Sequence, residues 1–365
     1  DAQSKNDFMK RPVGMKQLAI GGLNVAICAY LLALQTAQGA DADARLPQRF
    51  TFTEIHMGAP WKMVLYAADE AVANRAAQAA YARIEQLNGV LSDYDADSEL
   101  CRLSATSPSP TGVPVSDDLW RVLAAAQQLS EKSDGAFDIT VGPLTKLWRR
   151  ARRTKEMPTA EAIAAARVAT GYKALRLDPA TRTAQLLKPN MRLDAGGIGM
   201  GYGVDEAFKV LKREGIQSAL IDASGDIGVS DAPPGKSGWR IGIEPPSGEG
   251  PASRYVLLSN YAITTSGDAF QALQIDGKRY SHIIDPRTGL GVTGHSSVTV
   301  IAPDCIAADS YTKPICVAGA EAGFKIIEAT PGAAAFVERE ADGADGSKKI
   351  ETLQTSRFAQ FLTPN

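Results

Sequence analysis

Tyr280-Ser281-His282-Ile283-Ile284-Asp285-Pro286-Arg287-Thr288-Gly289 gathers a histidine, a carboxylate and an arginine into ten residues that end in a Pro/Gly turn. The chain has only three histidines, His56, His282 and His295, so few of its groups could act as a general base near neutral pH. Pro286 fixes its own φ, and Gly289 is free to take a positive one, so the last five residues read as a tight turn. A strand-like run ending there would hold His282 on a rigid element at the lip of a loop. Two readings stand open for it: a catalytic base, or a hairpin histidine that satisfies a backbone carbonyl.

A second cluster, Leu193-Asp194-Ala195-Gly196-Gly197-Ile198-Gly199-Met200-Gly201-Tyr202-Gly203, packs five glycines into eight residues. Apolar Val204, Ala207, Phe208, Val210 and Leu211 follow at helical spacing, and Gly215 is the expected stop. A glycine loop feeding a helix can offer backbone N–H groups to a phosphate. Its spacing is neither the dinucleotide fingerprint nor a Walker A loop. Close backbone packing under the helix explains the pattern equally well.

These clusters need elements to position them. Ala71–Leu87 and Asp117–Leu129 carry helical apolar spacing, as do Pro158–Val168 and Ala320–Glu328. Short strands are expected near Ala174–Leu177, Ala184–Leu187, Ser218–Ile221, Trp239–Ile243, Tyr255–Leu258 and Ser297–Ile301. Helices and strands interleave irregularly, which predicts an α+β fold with largely antiparallel sheet. Arg149-Arg150-Ala151-Arg152-Arg153 lacks interleaved aromatics and reads as a solvated surface turn. Gly235 and Ser247–Gly250 mark loops.

Residues 1–40 read as a secretory signal region: basic Lys10, Arg11 and Lys16, an apolar run from Leu18 to Leu34, then small Ala37, Gly39 and Ala40. An uncleaved inner-membrane anchor is the alternative. That reading puts the remaining domain, residues 41–365, in the periplasm. Net charge is −2, and residues 1–40 carry +2, which leaves −4 on the rest; this mild acidity argues against a nucleic-acid partner. Without Cys28 three cysteines remain, Cys101, Cys305 and Cys316, and their spacing suggests neither a zinc site nor a redox pair.

Taken in order along the chain, several blocks resemble the ApbE family of FAD:protein FMN transferases. They are Met57-Gly58-Ala59-Pro60-Trp61, Leu91-Ser92-Asp93-Tyr94 with Ser98-Glu99-Leu100, Gly135-Ala136-Phe137-Asp138-Ile139-Thr140-Val141-Gly142-Pro143-Leu144, and the glycine cluster. Gly225-Asp226-Ile227, Thr264-Thr265-Ser266-Gly267-Asp268, the His282 motif and Ala307-Ala308-Asp309 complete the set. The resemblance implies a single compact two-lobed α+β fold over residues 41–365. It also implies Mg²⁺-dependent transfer of FMN from FAD to a Thr/Ser hydroxyl through a phosphoester, with release of AMP. The acceptor would be an exported flavoprotein or a respiratory-complex subunit carrying a Thr/Ser motif.

By the same resemblance His282 is the base, and Asp309 with the backbone at Gly197 holds Mg²⁺. Met57, Tyr94, Ala136, Phe137, Asp138, Asp194, Met200 and Ile284 would lie along FAD. Two departures stand out. Met200 replaces a polar residue, often lysine. Lys313 stands four residues after Asp309, where many members place a metal-binding threonine. Thr312 could take over that ligand role, or the Lys313 ammonium could replace part of the metal's charge. Ser224 in place of the more usual glycine reads as a small change. The departures keep two alternatives open, a non-catalytic flavin-binding or maturation protein and a FAD pyrophosphatase yielding FMN and AMP. The partial acceptor-like match at Asp285–Gly289 is better explained by its turn.

Overall fold

The computed structural model describes residues 46–363 except 246–249, 268–271, 276, 295 and 343–347. The expected signal segment, His295, Asp268 and most of the 247–250 loop lie outside the described residues. No described helix is long and apolar enough to cross a membrane.

The helices are α1 (Glu70–Leu91), α2 (Glu99–Ala105), α3 (Asp117–Lys132), α4 (Gly142–Thr154), α5 (Ala160–Val168), α6 (Gly199–Arg213), α7 (Cys305–Ala318) and α8 (Ala320–Glu328). Side-chain caps start several of the long ones. Asp69 caps α1 by accepting from Val72 N at 2.9 Å, and Asp304 caps α7 through Ala307 N at 3.0 Å. Along α1, Ala73, Ala76, Ala77, Ala80, Tyr81, Ile84, Leu87 and Leu91 form one buried stripe.

Eight strands make the main sheet, every neighbouring pair antiparallel. In chain order they are Gln48–His56, Ala59–Ala67, Ala219–Ala223, Asp226–Val229, Tyr261–Gly267, Ser296–Ala302, Ala334–Asp342 and Lys348–Gln354, and that is also their order across the sheet. One face packs on α1, α6, α7 and α8; Trp61, Met63, Ile221, Val300 and Ala308 sit in that core. The other face meets a three-stranded sheet that includes Trp239–Ile243 and Arg254–Leu258, around Phe336, Phe358 and Val256. Ser296–Ala302 lies between the two layers and is buried along nearly its whole length, as a central strand must be.

A second lobe forms around the C-terminal end of α1 with α2, α3 and a small sheet of Val113–Pro114, Leu175–Asp178 and Thr183–Leu186. Arg83 ties the lobes together. Its guanidinium donates to Asp118 Oδ2 at 2.9 Å and to Glu206 Oε2 at 2.7 Å, joining α1, α3 and α6. The expected α+β architecture with antiparallel sheet is what forms.

Two expectations about elements need correction. Helix α6 begins at Gly199 rather than Val204, so three glycines of the cluster are helical. Gly201 and Gly203 are required by packing: a Cβ would lie 2.3 Å from Cys305 O at Gly201 and 2.9 Å from Trp61 at Gly203. The basic run 149–153 is not a surface turn but the last part of α4, whose Leu144, Trp148 and Ala151 are buried. A turn reading missed this because the large apolar residues of the stripe, Leu144 and Trp148, lie upstream of the arginines.

Candidate functional site: a cleft at one end of the main sheet

Two hairpins of the main sheet turn at the same end. Met57-Gly58 joins the first two strands, with φ of 50° and 75°, and Ser224-Gly225 joins the third and fourth, with φ of 54° and 101°. Both are two-residue turns with positive φ at each central position, the type I′ geometry. Trp61 opposes Ala223 in the register, so the two turns sit side by side. Beside them the Tyr261–Gly267 strand ends, α6 begins and the His282 loop folds over. The space enclosed is a cleft of about 1350 Å³, larger than the pockets usual for drug-sized ligands.

The cleft brings together almost every residue singled out from the sequence. Met57, Tyr94, Ala136, Phe137, Asp138, Asp194, Gly197, Met200, His282 and Ile284 all line it; Asp309 and Thr312 lie just behind its wall. His282 follows directly on the Lys278–Ser281 strand, half-buried on the cleft wall. The loop after it is held from several sides. Gly289 N donates to Asp285 O at 2.8 Å, Val292 N to Ile283 O at 2.8 Å, and Trp148 Nε1 to Gly289 O at 2.8 Å. Gly289 takes the expected positive φ, 77°. Arg287 pairs with Asp285 through Nε at 2.9 Å and Nη2 at 3.0 Å, so the motif's charged residues shape the turn. Of the other histidines, His56 is bonded to Glu54 and Glu85, stacks on Tyr81 and does not line the cleft.

Asp138 and Asp194 work as braces. Asp138 accepts from Thr140 N at 2.8 Å, Thr140 Oγ1 at 2.7 Å and Tyr172 N at 2.8 Å, though burial still pushes its carboxyl up. Asp194 accepts from Gly196 N at 2.8 Å, Thr145 Oγ1 at 2.6 Å and Arg149 at 3.1 Å. The Arg149 guanidinium also bonds Asp93 and lies 4.2 Å from the Tyr94 ring centroid, while Tyr94 itself is 78% exposed on the rim. Arg149 and Arg152 both line the cleft, and the sequence reading missed them. Their spacing of three on a helix whose apolar residues start at Leu144 is the signal that could have found them.

Ser224 is a larger departure than its size suggests, because it occupies a left-handed backbone position that favours glycine. Lys313 is larger still. Its Nζ lies 2.7 Å from Asp309 Oδ1, 3.1 Å from Asp309 O, 3.1 Å from Thr312 Oγ1 and 3.1 Å from Ser266 Oγ. Thr312, fully buried, donates to Asp309 O at 2.7 Å and does not line the cleft. Asp309 Oδ2 accepts from Gly201 N at 3.2 Å, in the first turn of α6. Burial opposes the Lys313 charge, but the Asp309 and Asp226 carboxylates outweigh it and raise its pKa. Burial and the charge of Asp309 push Asp226 up.

This arrangement does not fit Mg²⁺ in the position the resemblance implied. Mg²⁺ takes oxygens at about 2.0–2.1 Å in an octahedron. Here the oxygens stand at hydrogen-bonding distance around an ammonium already occupying their centre.

Comparisons with known proteins show the family. The sequence model of the ApbE family matches residues 57–337. The chain belongs to the ApbE family. A Klebsiella pneumoniae relative named FAD:protein FMN transferase is 31% identical over 313 residues, 84% of this chain and 87% of its own. One from Vibrio cholerae with the same name is 34% identical over 285 residues, 77% of this chain and 82% of its own. Among solved structures, the apo flavinyl transferase ApbE of Pseudomonas stutzeri superposes with a TM-score of 0.75 at 32% identity, covering 88% of this chain and 98% of that one. The Vibrio cholerae flavin transferase ApbE gives 0.75 at 30% identity, over 87% and 100%. The expected two-lobed ApbE-like fold is thus the fold of this chain.

Proposed function

We propose that this ApbE-family chain transfers FMN from FAD to a Thr or Ser hydroxyl of an exported acceptor protein, forming a phosphoester and releasing AMP. The observation that carries the reading is the single cleft on which His282, the glycine cluster, Tyr94, Phe137 and the Arg149–Arg152 pair all open. Its relatives' names supply the reaction class.

The chain's own residues suit the parts of such a transfer. Phe137 and Tyr94 offer flat faces for a flavin ring. Arg152 offers positive charge to an anionic nucleotide, while Arg149 is already paired with Asp93 and Asp194 and braces the rim. His282 takes the proton as the acceptor oxygen bonds to the FMN phosphorus. The bond from that phosphorus to the bridging oxygen breaks, and the bridging oxygen leaves with AMP. Rigid loop bonding around Asp285, Gly289 and Val292 would keep the base in register with the reacting atoms. No divalent ion enters these steps, because the Asp309 and Thr312 oxygens that resemble its ligands already bond the Lys313 ammonium. The signal-like segment of residues 1–40 supports a periplasmic site of action and hence an exported acceptor.

The test is to incubate residues 41–365 with FAD, with and without an acceptor domain bearing a Thr/Ser motif. AMP release together with covalent flavin fluorescence on the acceptor is the expected result. AMP and free FMN in both mixtures would identify a FAD pyrophosphatase; bound FAD with no AMP would identify a flavin-binding protein.

A further inference from the structure

We propose that the Lys313 ammonium is a tethered cation that holds the metal position of this site, so that the chain binds FAD without a divalent ion. The inference rests on the FAD reading above and specifies how its binding site is charged.

Four oxygens from three residues converge on Nζ. Asp309 supplies its carboxylate and its carbonyl from α7, Thr312 its hydroxyl from the same helix, and Ser266 its hydroxyl from the end of a main-sheet strand. Such a cage of hard oxygens is what a metal site would offer, yet the spacing and the occupant are those of an ammonium. The side chain is 18% exposed and forms part of the cleft wall, so its charge faces any bound anion at short range. Gly197 makes room for it: a Cβ there would stand 3.3 Å from both Cγ and Cε of Lys313.

The buried Asp309 gives the arrangement its necessity. At 2% side-chain exposure its carboxylate needs a cation, and the bond to Gly201 N alone does not neutralise it. In this chain the lysine supplies that charge covalently. A divalent ion entering the same oxygens would first have to displace the ammonium into the cleft, leaving two cations in contact.

FAD affinity of residues 41–365, read by quenching of flavin fluorescence, separates the possibilities when measured in excess Mg²⁺ and in excess EDTA. The wild-type dissociation constant is expected to agree within about twofold between the two. Lys313→Thr, which removes the ammonium and leaves a hydroxyl at that place, is expected to weaken FAD binding about tenfold or more in EDTA and to recover it with Mg²⁺. The same variant is expected to bind one Mn²⁺ by electron paramagnetic resonance, where wild type binds none. Wild-type affinity that falls about tenfold in EDTA, or a variant that keeps full affinity there, overturns the inference while leaving the flavin reading intact. Absence of FAD binding to wild type in both buffers overturns the flavin reading and the inference with it.

Discussion

His282 is the residue on which the proposed chemistry turns, and its setting separates two roles it could have. A base acts in the transition state, so His282→Ala should lower the transfer rate by about 10²–10⁴-fold. FAD affinity should stay within about threefold, because ground-state binding does not need the proton acceptor. Parallel loss of rate and binding, measured by AMP release and fluorescence titration, would make the residue a structural one. Only part of this site was legible in the residues alone; Met57, Tyr94, Phe137 and Asp194 were reached through the family resemblance, because each by itself reads as core packing. A rare histidine before a Pro/Gly turn pointed to the loop, and the φ of Gly289 followed from its place in that turn. Lys313 was different. Its position four residues after Asp309 was visible in sequence, but the approach of Ser266 from 47 positions away was not.

At the scale of elements, the two type I′ turns carry strain where the cleft needs side chains. Met57 and Ser224 both hold φ values that cost a non-glycine residue about 1 kcal/mol. Ser224 is exposed, so Ser224→Gly should raise stability by roughly 0.5–1 kcal/mol with little lost packing. Met57→Asn should also raise the melting temperature, since Asn-Gly is a preferred type I′ pair. There the gain should come with weaker FAD binding, because Met57 lines the cleft. A lower melting temperature for both variants would remove strain from the account. Element boundaries were the least legible part of the chain. Glycine's low helix propensity hid the first turn of α6, which is stabilised by contacts with Cys305 and Trp61 rather than by local preference. Trp239–Ile243 and Ala320–Glu328 were read at their observed limits because alternation or helical spacing there agrees with the burial that followed.

Across the whole molecule the lobes share their helices. Ala73 to Ile84 of α1 pack in the main-sheet core, while Leu87 and Leu91 of the same helix pack in the second lobe. Tyr202 and Val204 divide α6 in the same way. The lobes should therefore unfold together. Leu87→Ala, at a fully buried position, should cost about 2–5 kcal/mol and move a single calorimetric peak. Two separated peaks would show that the shared helices do not couple the cores. A cleft made where two cores meet is held open by both, and its floor includes a lysine that is part of the chain. An exchangeable ion comes and goes with the surrounding medium and can be stripped by any stronger chelator. Lys313 arrives with the polypeptide in fixed ratio and stays through every turnover. The charge of this cleft is thus set by translation rather than by supply, and scarcity or excess of free magnesium would leave it unchanged.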